Sequence, residues 1–329
     1  MHDEVEVGIR DAFAAHGEEL VRSRYGHEVR TRCSTWPRTG VSHENFRDQE
    51  VIVAWADDVV AGRAILDAVY YPFAELENLE VLPAFRGRGL ASRIVSDAVT
   101  RAARMGFLAV HIQPELDNVA AHRLYARHGF LPATQGEMLR LVRFLNFGAL
   151  SQFLYDHPLA EFASGAVDGP APSRWELSWS NPIDEERLAI ELLGGSCQAD
   201  SDGFGPAVSA VALKSGEVDV RAAILGPRAV ARNQPFDLEV KIANPGSALV
   251  SGSCRLVLNP GFQPPKGMSG GASFRVDANE TASVRLPVVV LDTFDSKVLP
   301  VCSYRSVSTV VEVFIGDQVL WLSCQHKVE

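Results

Sequence analysis

Residues 74–107 read AELENLEVLPAFRGRGLASRIVSDAVTRAARMGF, and the fold turns on how this stretch is parsed. Branched and aliphatic side chains over 76–82 predict a strand, and Pro83 stops it because proline offers no N–H to a ladder. Leu90, Ile94, Val95, Ala98 and Ala102 then recur at helical spacing up to Gly106. Between the two lies Arg86-Gly-Arg-Gly-Leu-Ala91, a glycine-rich turn from strand end to helix start. The first turn of a helix leaves backbone N–H groups unpaired at the positive end of its dipole, so anions settle there. Gly87 and Gly89 let the main chain take positive φ and approach a ligand closely, while Arg86 and Arg88 add charge-assisted donors. The stretch therefore predicts a phosphate site.

The pattern Arg86-x-x-Gly89-x-Ala91 after a strand resembles the acyl-CoA pyrophosphate loop of the GNAT N-acetyltransferase superfamily. A second motif follows in the order that family has. Residues 108–113 read as the next strand, and NVAAHRLYARHGF from Asn118 to Phe130 resembles the family segment at Asn118, Ala121, Leu124, Tyr125, Gly129 and Phe130. The resemblance covers residues 1–145 and says nothing of the remainder.

That resemblance implies acetyl-CoA as the acyl donor. Its pyrophosphate would meet backbone amides of Arg86, Gly87, Arg88, Gly89, Leu90 and Ala91, and its pantetheine arm would lie as a pseudo-strand beside main-chain groups near Leu79 and Val81. Asn118 would contact that arm or cap its helix, two roles that are compatible. Tyr125, seven residues on and so on the same helix face, would protonate the leaving thiolate, since a phenol donates at neutral pH. The general base stays open among several groups. Glu75 and Glu77 alternate onto one strand face, and Glu80 lies on the other unless a bulge resets the register, as the family often does. His111 on the neighbouring strand titrates in the useful range, and a water chain is a further alternative. His122 and His128 read as surface residues.

The reaction expected is direct attack on the thioester by an amine of a small molecule or peptide. No helical zinc motif and no Gly-x-Ser-x-Gly elbow occurs, so neither a metal nor a covalent acyl-enzyme is expected. Two alternatives are an acyl-CoA-binding protein without turnover and a GNAT-fold enzyme acting on another CoA thioester, for example by decarboxylation.

Outside this region the expectations are coarser. Residues 3–25 fit a loose helical face, and 27–33 a short strand. Residues 49–66 read as a hairpin around Asp57-Asp58. Tyr70 and Tyr71 lie in the connection that follows. Residues 138–145 read as the last strand of the sheet, with Arg140 and Arg143 facing water, and 148–162 as a short amphipathic helix. The small, Gly/Pro-rich residues 164–173 suggest a linker between a domain over 1–163 and another over 174–329. There, short β-branched runs alternate with turn signals such as Asn244-Pro-Gly246, Asn259-Pro-Gly261 and Gly316-Asp317. They argue for an antiparallel sandwich that resembles bacterial immunoglobulin-like accessory domains, with 175–213 a link packed upon it. The fold class expected is α+β: a mixed, mainly antiparallel GNAT sheet flanked by helices, followed by an all-β sandwich.

Bulk composition narrows the function classes. A chain of 329 residues with 47% hydrophobic residues is long enough for two cores. The formal net charge of -10 disfavours a nucleic-acid binder, whose affinity comes mainly from Lys and Arg. The first residues lack the basic and apolar segments of a signal peptide, and no apolar run reaches membrane-spanning length. Cys33, Cys197, Cys254, Cys302 and Cys324 are odd in number and contain no Cys-x-x-Cys, which favours free thiols in a reducing cytoplasm. An exposed sandwich edge would offer a pairing surface for a homodimer.

Overall fold

The computed structural model describes residues 5–9, 49–56, 59–67, 72–134, 140–167, 174–193, 207–257, 262–291 and 306–328. Two compact units part between Leu145 and Asn146. This is earlier than the 164–173 linker expected from composition, because residues on both sides of 160 are strand and helix of the second unit.

The N-terminal unit is built on a seven-stranded sheet in the order β1-β2-β3-β4-β5-β7-β6. Its strands are β1 (Val5–Ile9), β2 (Gln49–Ala56), β3 (Val59–Asp67), β4 (Phe73–Val81), β5 (Ala109–Ile112), β6 (Leu131–Thr134) and β7 (Arg140–Phe144). Helix α1 spans Leu90–Arg104 and α2 spans Val119–Arg127. The N-terminal segment expected to be helical begins instead as strand β1, antiparallel to β2. The alternation Val5-Glu6-Val7-Gly8-Ile9 has the two-residue period of a strand, and pairing with β2 decides it. The expected helix beyond it, the 27–33 strand, and Tyr70 and Tyr71 fall outside the described residues.

Helix α1 buries Leu90, Ile94, Val95, Ala98 and Ala102, the stripe read from the sequence, together with Val99, and contacts β1 through β5. A second expectation fails at β7. Arg140 is 4% exposed and Arg143 donates through Nη1 to the His128 carbonyl, so neither simply faces water. Strand β7 lies between β5 and β6, so it has no free edge and long stems from it are covered.

The C-terminal unit opens with helix α3 (Gly148–Asp156), shorter than the helix expected over 148–162, because β8 (Glu161–Ala166) follows at once. Then come β9 (Arg174–Ser180), β10 (Arg187–Leu193), β11 (Ala207–Ser215), β12 (Val218–Leu225), β13 (Ala229–Val230), β14 (Pro235–Asn244), β15 (Val250–Val257), β16 (Phe262–Gln263), β17 (Gly271–Val276), β18 (Glu280–Val290), β19 (Ser306–Ile315) and β20 (Gln318–Val328). They form an eight-stranded sheet, β16-β18-β14-β12-β11-β10-β9-β8, and a five-stranded sheet, β13-β20-β19-β15-β17. The sheets meet where β11 and β12 approach β20 and where β17 approaches β18. Residues 175–213 are not a link: β9, β10 and β11 are full members of the larger sheet. Alternation in β14 buries Leu238, Val240 and Ile242 against this interface.

Inside it, His326 of β20 reaches the other sheet. Its Nδ1 lies 2.7 Å from the Pro227 carbonyl, which only accepts, so Nδ1 carries the proton. Its Nε2 therefore accepts from the Thr309 hydroxyl at 2.7 Å. The ring packs against Phe236 of β14 and Phe262 of β16. Cys254 and Cys324 are free thiols, and burial pushes both up to about 12; Cys33, Cys197 and Cys302 lie outside the described residues. None of the described helices is long and apolar enough to cross a membrane.

Candidate active site

The site follows from how β4 ends. Strand β4 pairs with β5 in parallel only at Phe73↔Ala109, Ala74↔Val110 and Glu75↔His111. From Leu76 to Val81 it remains paired with β3 but no longer with β5, so among the described residues no strand covers that edge. A parallel ladder that stops after three pairs leaves a wedge whose wall presents main-chain donors and acceptors at strand spacing. Leu79 and Val81, both half-buried, lie along that wall.

The open edge leads straight into the glycine turn. Pro83–Phe85 form a single 3-10 turn. Gly87 and Gly89 both have φ of 78°, and a Cβ at either would meet nothing within 4 Å. Backbone conformation, not crowding, requires glycine there, and the turn stands open around it. Gly89 is the N-cap of α1 and supplies no side chain, so the first N–H groups of Leu90, Ala91 and Ser92 are left to an incoming acceptor. Arg86 turns back onto the strand, where its Nε donates to the Val81 carbonyl at 3.0 Å and braces the turn against the strand end. Arg88 is exposed, with its guanidinium 5.4 Å from the Phe85 ring centroid. Leu90 is buried at 1% exposure, so its side chain anchors α1 while its N–H heads the helix.

Asn118 caps α2, its Oδ1 accepting the Ala121 N–H at 3.1 Å. With Oδ1 so occupied, the Nδ2 donors are the part of the side chain suited to a ligand carbonyl. Helix α2 has nine residues and is too short to hold its shape alone. Asn118→Ala should therefore cost about 1 kcal/mol of stability, read as a lowered thermal midpoint of the N-terminal unit. Tyr125 is 3% exposed and meets Phe130 edge-on with ring centroids 5.5 Å apart. Burial pushes its phenol above the usual value, which keeps it protonated throughout the neutral range.

A bulge determines which carboxylates share a face. Arg63 pairs with Glu80 and Ile65 with Glu77, so two steps along β3 match three along β4. Asn78 takes up the difference with φ of 53°, a conformation asparagine tolerates better than most residues. Cross-strand partners share a face, so the register reset brings Glu80 onto the side of Glu75 and Glu77. His111, opposite Glu75, joins them. Glu77 is half-buried and accepts from Asn78 Nδ2 at 3.3 Å, whereas Glu80 is exposed. His111 is completely buried, and its pKa is well below the ordinary imidazole value because of burial first and the Arg140 charge second. A group so disposed resists taking up a proton, which argues against it as the base. Arg63, 3% exposed, lies on the same face, and so does Arg140, two residues from the Val142 that pairs with His111; neither was expected there from the sequence. Their strand positions, two residues from Ile65 and Val142 respectively, carried the signal.

His128 is also placed differently from its expected surface position. It is half-buried, and its Nε2 lies 2.7 Å from Ser92 Oγ in the first turn of α1. His122 is held locally, with Nε2 2.9 Å from the Glu115 carbonyl. Among the described residues, no group of three or more His, Cys, Asp or Glu side chains is arranged to hold a metal ion.

Comparison with known proteins gives three findings. Residues 19–130 match the profile of the family described as Acetyltransferase (GNAT) family. Streptothricin acetyltransferase of Escherichia coli is 27% identical over 124 residues, covering 37% of this chain and 68% of that protein. Among solved structures, the IAA acetyltransferase from Bacillus cereus ATCC 14579 aligns at 18% identity with a TM-score of 0.33, over 43% of this chain and 100% of its own. PaiA N-acetyltransferase from Thermoplasma acidophilum, solved in complex with coenzyme A, aligns at 16% identity with a TM-score of 0.31, over 43% and 99%.

Proposed function

We propose, from the premise that residues 19–130 belong to a GNAT acetyltransferase domain, that this protein transfers an acyl group from acyl-CoA, in the first instance acetyl-CoA, to an amine. The observation that carries the reading is the open edge of β4 from Leu76 to Val81 running into the Gly87–Gly89 turn at the head of α1. The edge offers strand-like hydrogen bonds to a pantetheine arm, and the head of α1 offers N–H groups and a dipole to a pyrophosphate. Gly87, Gly89, Leu90 and Ala91 act through the backbone, Arg88 through its charge, and Arg86 by bracing the turn.

On the acceptor side, Glu77 and Glu80 share a face and accept the proton from the attacking amine, directly or through water. A main-chain N–H of the wall near Leu79 or Val81 stabilises the thioester oxygen as it becomes an oxyanion. When the tetrahedral adduct collapses, the C–S bond breaks and Tyr125, a phenol that is protonated at neutral pH, donates to the departing thiolate. No acyl-enzyme is needed, so the step is direct transfer within a ternary complex. Streptothricin, the acceptor named for the Escherichia coli relative, is the first amine to test. The C-terminal unit is read as an immunoglobulin-like accessory sandwich, lengthened by the β8–β11 meander. Its role would be substrate selection or self-association.

Calorimetric titration with acetyl-CoA tests the donor site. Saturable binding is expected, with affinity reduced on the order of tenfold or more in Arg88→Glu, as loss and reversal of one charge-assisted contact requires. Equal affinity in the variant would remove Arg88 from the site, and absence of binding by the wild type would overturn the reading.

A further inference from the structure

The Ser92–His128 contact joins two segments that are 36 residues apart in sequence. Ser92 is the third residue of α1 and the last of the three whose N–H groups are left to an incoming acceptor. His128 is the C-cap of α2, where its N–H donates to the Tyr125 carbonyl at 2.9 Å. The backbone of His128 is thus held by the helix end and its carbonyl by Arg143, while among the described residues Ser92 is the hydrogen-bond partner of its imidazole.

A serine hydroxyl has one proton and a neutral imidazole has one donor and one acceptor nitrogen. When Nε2 is unprotonated, Ser92 donates to it and turns only lone pairs toward the head of α1. When Nε2 carries a proton, it donates to Ser92 Oγ, and the Ser92 hydroxyl is free to donate outward to an anion. We propose that His128 is a positioning residue for the donor phosphates, acting through Ser92: phosphate at the head of α1 selects the imidazolium, which takes one proton from solvent and carries it on Nε2, and a hydrogen-bond relay then runs from His128 Nε2–H through Ser92 O–H to a phosphate oxygen. This inference rests on the donor-site reading given above.

The protein's own charges favour the other state. Burial, then Arg143 on β7, then Arg127 on α2 hold the His128 pKa below its ordinary value. Ser92 is the group on α1 that faces the ring. Both charged neighbours named are cations, so a bound dianionic phosphate is the charge that would offset them and draw a proton onto the imidazole. Donor binding should then take up protons as pH falls below the ordinary imidazole range, and the His128 pKa should rise on the order of one unit in the complex.

The test is calorimetric titration of the full-length protein with coenzyme A between pH 5.5 and 8, in two buffers of different ionisation enthalpy. The wild type, His128→Gln and Ser92→Ala are compared. Protonation of the ligand's own phosphates is common to all three proteins and cancels in the comparison. Glutamine keeps an N–H donor where Nε2 stood but cannot titrate. The expected result is wild-type affinity at pH 8 or slightly better in His128→Gln, with the protein's proton uptake abolished, and weakened binding without uptake in Ser92→Ala. The imidazole resonance that vanishes in His128→Gln should titrate higher with coenzyme A than without it. Identical proton uptake in wild type and His128→Gln overturns this inference while leaving the donor site standing. Absence of coenzyme A binding by the wild type overturns both.

Discussion

Gly89→Val should lower acetyl-CoA affinity by about a hundredfold or more while the rest of the N-terminal unit stays folded. Gly89 has φ of 78° and ψ of 5°, the left-handed region, and a β-branched residue there is a genuine outlier. There is room for the side chain, since a Cβ at this position meets nothing within 4 Å, so the variant relieves its strain by rotating its own backbone. That rotation turns the Leu90 and Ala91 N–H groups away from the phosphates, and losing one or two charge-assisted bonds accounts for the magnitude. Gly89→Ala should lie between the two, because left-handed geometry costs alanine roughly 1–2 kcal/mol without β-branching. Calorimetry measures the affinity, and circular dichroism checks that α1 persists. Unchanged affinity in folded Gly89→Val would mean that the donor does not sit on this turn.

The second large effect concerns acid stability of the C-terminal unit. His326 is held down at about 4 by burial, which the hydrogen bond to Pro227 only partly offsets. A folded-state pKa below the unfolded value means that the unfolded chain binds the proton first. The contribution is complete above pH 6.5, declines as pH falls from there, and is gone once pH passes below about 4. The interval corresponds to about 3 kcal/mol at 1.36 kcal/mol per unit. Urea unfolding followed by fluorescence of Trp179 and Trp321, both buried in this unit, should show the midpoint falling across that interval. In His326→Gln the slope should flatten, since glutamine does not titrate, and the variant should be less stable than wild type at pH 8 because the bonds to Pro227 and Thr309 are not both remade. A wild-type midpoint independent of pH between 7 and 4 would contradict this account of the His326 site.

Much of the strand–turn–helix from β4 to α1 was legible because its signals are local. The 3.6-residue stripe from Leu90 to Ala102, the stop at Pro83 and the glycines at 87 and 89 each act within a turn or two of chain. Local signals were available and missed elsewhere. Val5 to Ile9 alternates as a strand despite Gly8, and Arg174-Trp-Glu-Leu-Ser-Trp-Ser180 alternates across the segment expected to be a link. What the sequence left open is non-local. Whether Glu80 joins Glu77 depends on how β4 slips against β3 at Asn78, and only the pairing decides it. Arg140 becomes buried because β7 inserts between β5 and β6, out of chain order. His128 gains a partner because two helices converge, which no periodicity in either one encodes.

Hydrogen–deuterium exchange of the full-length protein with and without acetyl-CoA tests the central claim most directly. A donor bound as a pseudo-strand along the β4 edge that β5 does not cover beyond Glu75, with its phosphates at the head of α1, should slow exchange in peptides covering 76–82 and 89–92. Protection confined to those two segments and to the start of α2 at Asn118 is the predicted result. Saturable binding that protects other segments and leaves the β4 edge unchanged would contradict the account.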